Sequence, residues 1–543
     1  GAAEKFYAEA QTIATSGVQR AEATWRWAQG RERTGNTNGA LTLYVRLMTE
    51  PEAGIPPLLD DRNWEASAPR LAARRVRALL TDDEAKVRAL LEEPASNALS
   101  LLGSQADAMA LSDVATVFAG TSAARDAAFR AAQLAIGRGD MGIAEAILQR
   151  ALALSAHSDR EAVAAELVRL YERTKWPKGA ATLCRQWRDG GKGPVPEFLE
   201  RAARADVNAF PLPPWRLRWR KTLPANISIR LAPAGLCYSR LGPTTVLGCL
   251  NLTTGKSRWQ KDVAGLVWMS SGVAGPRDDS SFVTIQGDSL ACVDLWSGSV
   301  FPDVIRATFW EWSGYLVSRA GLATHVTKQK GGSADSADLL TGRGAWKRRE
   351  CETLLPGMES IPRFAFVSAE GIWLLGSSSD GSSQVVILDP WTGTVVSSIP
   401  MAASSAQALF SRLPGRSGPW KVEGRMRGDY VVPKLDDQRL SGKDLRTGAT
   451  VWTSPPDIAI EKQQSLPGGA ILALTTNEEV VLLDGDTGAV LFRSKDIRFQ
   501  FDLASAVDNA VVATYRQGTR KWVPSFLDGT NEVLVIDTAA NAI

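Results

Sequence analysis

The chain has 543 residues, 44% hydrophobic and 22% charged, with 62 Lys and Arg against 59 Asp and Glu and a formal net charge of +3. One hydrophobic core stops growing at roughly 250–300 residues, so at least two domains are expected; the composition excludes disorder, and the balanced charge excludes the strong basic field of a nucleic-acid binder. No apolar run approaches the roughly 18 residues that cross a bilayer, no secretory signal is visible, and the opening Gly1-Ala2-Ala3 without Met fits an excised piece of a longer protein.

Residues 1–207 are rich in Ala, Leu, Arg and Glu and read as helices. Small residues at a turn-then-helix spacing mark helical hairpins. One runs from Ala124 through Gly139-Asp140 to Ala144, Leu148 and Ala151, and a second has Leu167 and Tyr171 before its turn and Ala180 and Trp187 after it. A third includes Trp27, Ala40, Tyr44 and Leu47. These units resemble degenerate tetratricopeptide repeats, which implies a short α-solenoid with a concave face for peptides or proteins. A plain helical bundle packed on the second domain is the alternative.

The Pro-rich stretch Phe210-Pro-Leu-Pro-Pro214 marks residues 208–214 as a linker. Beyond it, from 215 to 543, one phrase recurs: an apolar strand, Asp-x-x-Thr-Gly, then an aromatic or aliphatic residue. The copies are Asn251 to Gly255 leading to Trp259, Asp294 to Gly298 leading to Phe301, and Asp338 to Gly342 leading to Trp346. Asp389 to Gly393 leads to Val396, Asp444 to Gly448 to Trp452, and Asp484 to Gly488 to Phe492. The turn glycines lie roughly 40 to 55 residues apart, the length of a four-stranded blade. Asp or Asn caps backbone N–H groups two residues on and Gly supplies positive φ, so each phrase makes a tight turn between strands.

A seventh copy is divided between the two ends of this region. The chain finishes VLVIDTAANAI with no strand after the turn, while WRLRWRKTL from Trp215 has the alternation that elsewhere follows the turn. Residues 214–222 are therefore expected to complete a blade beside 531–538, closing the ring and removing its seam. The fold class expected is two-domain, α then all-β: a helical solenoid followed by a seven-bladed β-propeller closed by strand exchange.

Strand, Asp-x-x-Thr-Gly, then Trp resembles the PQQ-like repeat of quinoprotein dehydrogenases and of non-enzymatic propellers such as BamB-like outer-membrane assembly proteins. The resemblance covers residues 215–543. It implies a propeller in which Trp219, Trp259, Trp346 and Trp452 pack between blades, accounting for many of the 18 Trp against 7 Tyr. Combining such a propeller with tetratricopeptide-like helices resembles bacterial envelope proteins, including planctomycete ones, and implies the periplasm or cell envelope. Membrane coat proteins also join an α-solenoid to a propeller, which makes the cytoplasmic face of internal membranes the alternative place.

Candidate chemistry is sparse. Thr254-Gly255-Lys256-Ser257 ends like a P-loop, but position 250, where the first Gly belongs, is Leu, so it reads as a repeat turn. The five Cys contain no CxxC pair and no adjacent pair of the kind found in quinoprotein sites. Cys249 and Cys292 fall where other repeats hold Ile387, Leu482 and Val535, and read as small buried hydrophobes. Only His157 and His325 are present, without a G-x-S-x-G, which argues against a hydrolytic triad. Asp484 and Asp486 read as turn caps rather than cation ligands.

Arg216, Arg218 and Arg220 line one face of a strand and Trp215, Leu217 and Trp219 the other. Those three Arg, with Trp310 and Trp312 of FWEWSGY, are the candidate partner contacts. The sequence thus leads to a non-enzymatic scaffold binding other proteins or peptides. No catalytic, cofactor or metal residue is assigned, no nucleic acid is expected, and any membrane association is peripheral. A quinoprotein oxidoreductase is the enzymatic alternative.

Overall fold

Local caps fix the ends of the helices. The computed structural model describes residues 2–49, 57–58, 61–80, 83–176, 179–180, 183–184, 187–188 and 194–204, and beyond them the strands given below with most of the tight turns joining them. The described residues of the first half hold ten helices: α1 (Ala2–Ile13), α2 (Gly17–Arg33), α3 (Thr37–Thr49), α4 (Ala68–Leu79), α5 (Glu84–Leu102), α6 (Ala108–Val117), α7 (Ser122–Arg138), α8 (Met141–Leu154), α9 (His157–Thr174) and α10 (Glu197–Arg204). Ser16 and Gln19 form a reciprocal capping box at α2, and Asp83, Asp107 and Thr121 accept backbone N–H groups at the starts of α5, α6 and α7. Gly139 ends α7 in the left-handed conformation, φ 84°, and turns the chain directly into α8.

Helices α1 to α4 pack successively on one another, as do α5 to α9, and the expected hairpin through Gly139-Asp140 is the pair α7 and α8. Ala124, Ala127, Ala131 and Ala135 are buried along α7, where small side chains let neighbouring helices approach closely. Tyr44 and Leu47 on α3 and Leu167 and Tyr171 on α9 are likewise buried, as are Ala180 and Trp187 beyond α9.

The first half is not wholly helical, contrary to the sequence expectation. Pro57–Leu58 and Asp61–Ala66 are strands that pair with each other, and the second adds to the edge of Arg343–Arg349 in the register Trp346 to Ala66, Lys347 to Glu65 and Arg348 to Trp64. Ser67 continues the link by donating its N–H to the Ala345 carbonyl at 2.9 Å. Segment 61–66 has no strand pattern of its own; a distant edge with unpaired backbone groups supplies the partner.

In the second half the described strands fall into seven antiparallel sheets. The first comprises Ile227–Ala232, Gly235–Arg240, Thr245–Leu250 and Ser257–Val263. The second is Trp268–Met269, Phe282–Gln286 and Leu290–Asp294, and the third runs from Gly314 to Arg349 with the two strands donated by the first half. Sheets over 360–401, 431–453 and 460–494 follow. The last holds Leu503–Val507, Ala510–Arg516 and Asn531–Asp537, and its outer member is Arg216–Leu223, paired with Asn531–Asp537 from Leu223 to Asn531 through Arg216 to Asp537.

Apolar clusters run across the boundary between the halves. One joins Trp25, Tyr44, Leu71 and Leu91 to Leu322, Trp346, Leu374 and Val386, and another joins Ala131, Leu148 and Leu167 to Ala323, Ala337 and Leu340. The helical layer is thus cemented to the sheets over 314–349 and 360–401. The expected linker, 208–214, lies outside the described residues.

Candidate functional site

The repeat turns show how one carboxylate does two jobs. Its first oxygen closes the turn. Asn251 Oδ1 accepts from the Thr253 and Thr254 N–H groups at 2.9 and 3.0 Å, Asp294 Oδ1 from Trp296 and Ser297 at 2.8 and 3.2 Å, and Asp389 Oδ1 from Trp391 and Thr392 at 2.9 Å each. Asp338 Oδ1 accepts from Leu340 and Asp484 Oδ1 from Thr487, both at 3.0 Å. Gly255, Gly298, Gly393 and Gly488 sit at φ 67°, 72°, 70° and 69°, a conformation a Cβ disfavours, and each donates its N–H to the carbonyl of the Asn or Asp four residues before it.

The second oxygen of three turns faces the helical layer. Asp294 Oδ2 accepts the Ile143 N–H at 3.1 Å, at the N-terminus of α8 where backbone donors have no helical partner. Asp338 is gripped by Arg150 of α8, with Nη1 to Oδ2 at 2.8 Å and Nη2 to Oδ1 at 2.7 Å, and by Arg70 of α4 at Oδ2. Asp389 accepts from Arg74, one turn further along α4. Arg150 also donates to the Ala320 carbonyl at 3.1 Å and lies over the Trp391 ring. Ser297, in the same turn as Asp294, donates to Asp140 at 2.7 Å.

These contacts set opposite electrostatics in neighbouring turns. Burial alone raises the pKa of Asp338, but the Arg150 and Arg70 guanidinium charges outweigh it and hold the carboxyl well below the usual carboxylate range. Among the described residues no cation lies against Asp294. Burial pushes it up to about 6, with the Asp140 carboxylate adding to the rise and the N–H donors of Trp296, Ile143 and Ser297 opposing it.

Three of the repeat Trp donate to the turn of the following copy, whereas the buried Trp452 Nε1 has no partner among the described residues. Trp219 Nε1 donates to the Leu252 carbonyl at 2.7 Å, Trp259 to Leu295 at 2.9 Å and Trp346 to Pro390 at 2.9 Å. Their rings lie flat against Gly255, Gly298 and Gly393, and Trp452 lies against Gly488 in the same way. A Cβ at any of these glycines would come within 2.5 to 2.8 Å of the ring, so the glycine is required by both φ and space.

Several residues singled out by sequence fall elsewhere. Gly342, Gly448, Trp310, Trp312 and Asp486, and the side chains of Arg216, Arg218, Arg220, Asp444, Cys292, His157 and His325, lie outside the described residues. Sequence reasoning missed Arg70, Arg74 and Arg150, which bring the helical layer to the turns, and Trp64, whose Nε1 donates to the Thr392 carbonyl at 2.8 Å while Arg348 stacks on its ring. The signal available was the spacing of Arg70 and Arg74, which puts both on one face of a helix that also carries Arg75 and Arg77.

Among the described residues no group of three or more His, Cys, Asp or Glu is placed to hold a metal ion, and no helix is long and apolar enough to cross a membrane. Compared with known proteins, residues 243–494 match the family model described as outer membrane protein assembly factor BamB. The crystal structure of BamB from Moraxella catarrhalis is similar at 16% identity with a TM-score of 0.30, covering 60% of this chain and 99% of that one. None of the curated proteins matches the chain.

Proposed function

Because residues 243–494 are BamB-like PQQ repeats, we propose that the chain is a non-enzymatic scaffold that holds a protein partner on the rim of its propeller, as part of a cell-envelope assembly in the periplasm. The observation carrying this reading is a row of exposed aliphatic side chains. Val395 and Val396, Val451, and Val490 and Leu491 open the outermost strands of the sheets over 360–401, 431–453 and 460–494, and they are 39–54% exposed. The equivalent edge of the third sheet is covered by the chain's own strand Asp61–Ala66. Apolar residues repeated at the edges of successive sheets form a surface suited to a protein, through packing or strand addition.

The architecture that supports this reading is a seven-bladed ring closed by strand exchange, with the helices as a tetratricopeptide-like layer on one part of it. Its support is the pairing of Arg216–Leu223 with Asn531–Asp537, and Trp219 of that last sheet packing on the first turn of the repeat series. The turn carboxylates Asp294, Asp338 and Asp389 serve internal docking in this scheme and have no part in chemistry.

A photo-crosslinking residue at Val451 tests the proposal in cells that produce the protein, with one at the exposed Glu161 of α9 as reference. Protein adducts at 451, absent at 161 and lost when Leu491→Glu is added, are expected. No adduct at 451, or equal adducts at both positions, would overturn the rim as the partner surface.

A further inference from the structure

In the first sheet the strands Gly235–Arg240 and Thr245–Leu250 pair antiparallel, and the register sets Cys237 directly opposite Cys249. Both side chains are wholly buried, in a cluster with Ala234, Leu247, Val293 and Leu295. Directly opposed residues of an antiparallel pair project from the same face of the sheet, with Cα atoms about 4.5 or 5.5 Å apart depending on the hydrogen-bond pattern. A disulfide spans Cα separations of about 4.4–6.8 Å, so either case suits it.

The repeats supply an internal gauge of this position. Cys249 lies two residues before Asn251; two residues before Asp338, Ser336 stands directly opposite Thr324, and their Oγ atoms are 3.0 Å apart. The γ atoms of two opposed side chains can thus meet at this place; in the structure Cys237 and Cys249 are both thiols, with Cys249 Sγ 3.9 Å from the Leu250 carbonyl. In two other repeats the register sets Leu472 opposite Leu482 and Val512 opposite Val535. The neighbouring Cys292 stands opposite Thr284 and has no thiol across the ladder.

We propose that Cys237 and Cys249 are a cross-strand disulfide pair, oxidised while the chain folds in contact with a disulfide donor and then sealed in the core. One thiol, as its thiolate, attacks the donor's S–S bond to give a mixed disulfide. The second displaces the donor, so that the two cysteines lose two electrons and two protons and the donor disulfide is reduced to two thiols. Because both side chains are inaccessible in the folded sheet, exchange belongs to folding or to opening of these strands, and the native protein is inert in either redox form. The linkage would fasten the two middle strands of the blade directly behind its turn.

The test is a peptide map of the full chain, prepared once by refolding with oxidised glutathione and once by production in an oxidising bacterial periplasm without refolding. Each sample is alkylated with iodoacetamide in denaturant. The expected result is a Cys237–Cys249 linked peptide in most molecules, with Cys184, Cys292 and Cys351 alkylated. Cys249→Ser should leave Cys237 alkylated rather than joined elsewhere. Alkylation of all five cysteines in natively folded samples of both kinds, or a map in which Cys237 is joined to a cysteine other than Cys249, would overturn the proposal.

Discussion

Replacing Asp338 by Asn tests the ionic link between helices and sheets. Asn251 occupies the corresponding place in the first turn and closes it through Oδ1, so the variant keeps the cap on Leu340, while it removes the charge and sets an N–H₂ in place of the oxygen that Arg150 and Arg70 share. Arg150 and Arg70 have side chains only 3% and 5% exposed, and removing one member of a buried ion pair costs about 3–5 kcal/mol because the remaining charge is left without compensation. Arg150 keeps its bond to Ala320 and its place over Trp391, and Arg70 has Asp113 4.0 Å away, so the lower end, about 3 kcal/mol, is expected. At about 1 °C per kcal/mol for a chain of 543 residues, Tm should fall by roughly 3 °C. Asp389→Asn is the internal comparison: Arg74 is 40% exposed, and a solvated pair of that kind contributes about 0–1 kcal/mol. Urea denaturation followed by near-UV circular dichroism reads both. Equal losses in the two variants, or a loss under 1 kcal/mol for Asp338→Asn, would refute the assignment of the buried pair as a clamp.

Asp294 should give the opposite pH signature. Its folded pKa, about 6, lies above the unfolded value near 4, so between those pH values the native state holds a proton that the unfolded state has released, and stability falls as pH rises through the window by roughly 3 kcal/mol. Asp294→Asn should flatten the wild-type slope between pH 4 and 6, and an unchanged slope refutes it. For Asp338, whose folded pKa is depressed, the contribution is complete above about pH 4 and is lost only below it, so the two windows are separate. Gly298→Ala forces a Cβ to within 2.6 Å of the Trp259 ring at positive φ and should cost about 2–4 kcal/mol, measured by the same unfolding assay; a neutral result would disprove the close packing. Trp64→Ala removes both the anchor of the donated strand and its bond to Thr392, and about 2–4 kcal/mol should be lost, with faster amide exchange in 64–67; unchanged exchange would show that the strand is held by other contacts.

The turns were legible because their physics is local. Asp or Asn, Thr or Ser and Gly within five residues specify a capped turn wherever they occur, and the Trp that follows at fixed spacing meets the next copy of the same phrase. The helical hairpin through Gly139-Asp140 was legible for the same reason, since a left-handed Gly after an Ala-rich helix ends it from within. The docking of the helices was not. Arg70 and Asp338 are 268 residues apart and Arg150 and Asp338 are 188 apart, and no local pattern tells a cation bound for a buried carboxylate from one on a solvated helix face. Strand 61–66 failed similarly: Asp-Arg-Asn-Trp-Glu-Ala becomes a strand because the edge of Arg343–Arg349 completes its hydrogen bonds.

The choice between Asn and Asp at the head of a turn now carries information. Both residues close the turn with one oxygen, but the remaining atom differs: Asp offers a second acceptor, whereas Asn offers an N–H₂ that repels an incoming donor. To the second oxygens of Asp294, Asp338 and Asp389 the helical layer presents donors, the Ile143 N–H and the guanidinium groups of Arg70, Arg74 and Arg150. Asn251 heads the first turn, and its described bonds are those of its own turn. Exchanging the two at a turn under the helices therefore keeps the sheet and weakens the docking, while the same exchange at a turn facing solvent alters neither. The acid at the head of the repeat is a docking residue set within a folding signal, and this accounts for why a phrase that looks purely structural in sequence also determines where the helices sit.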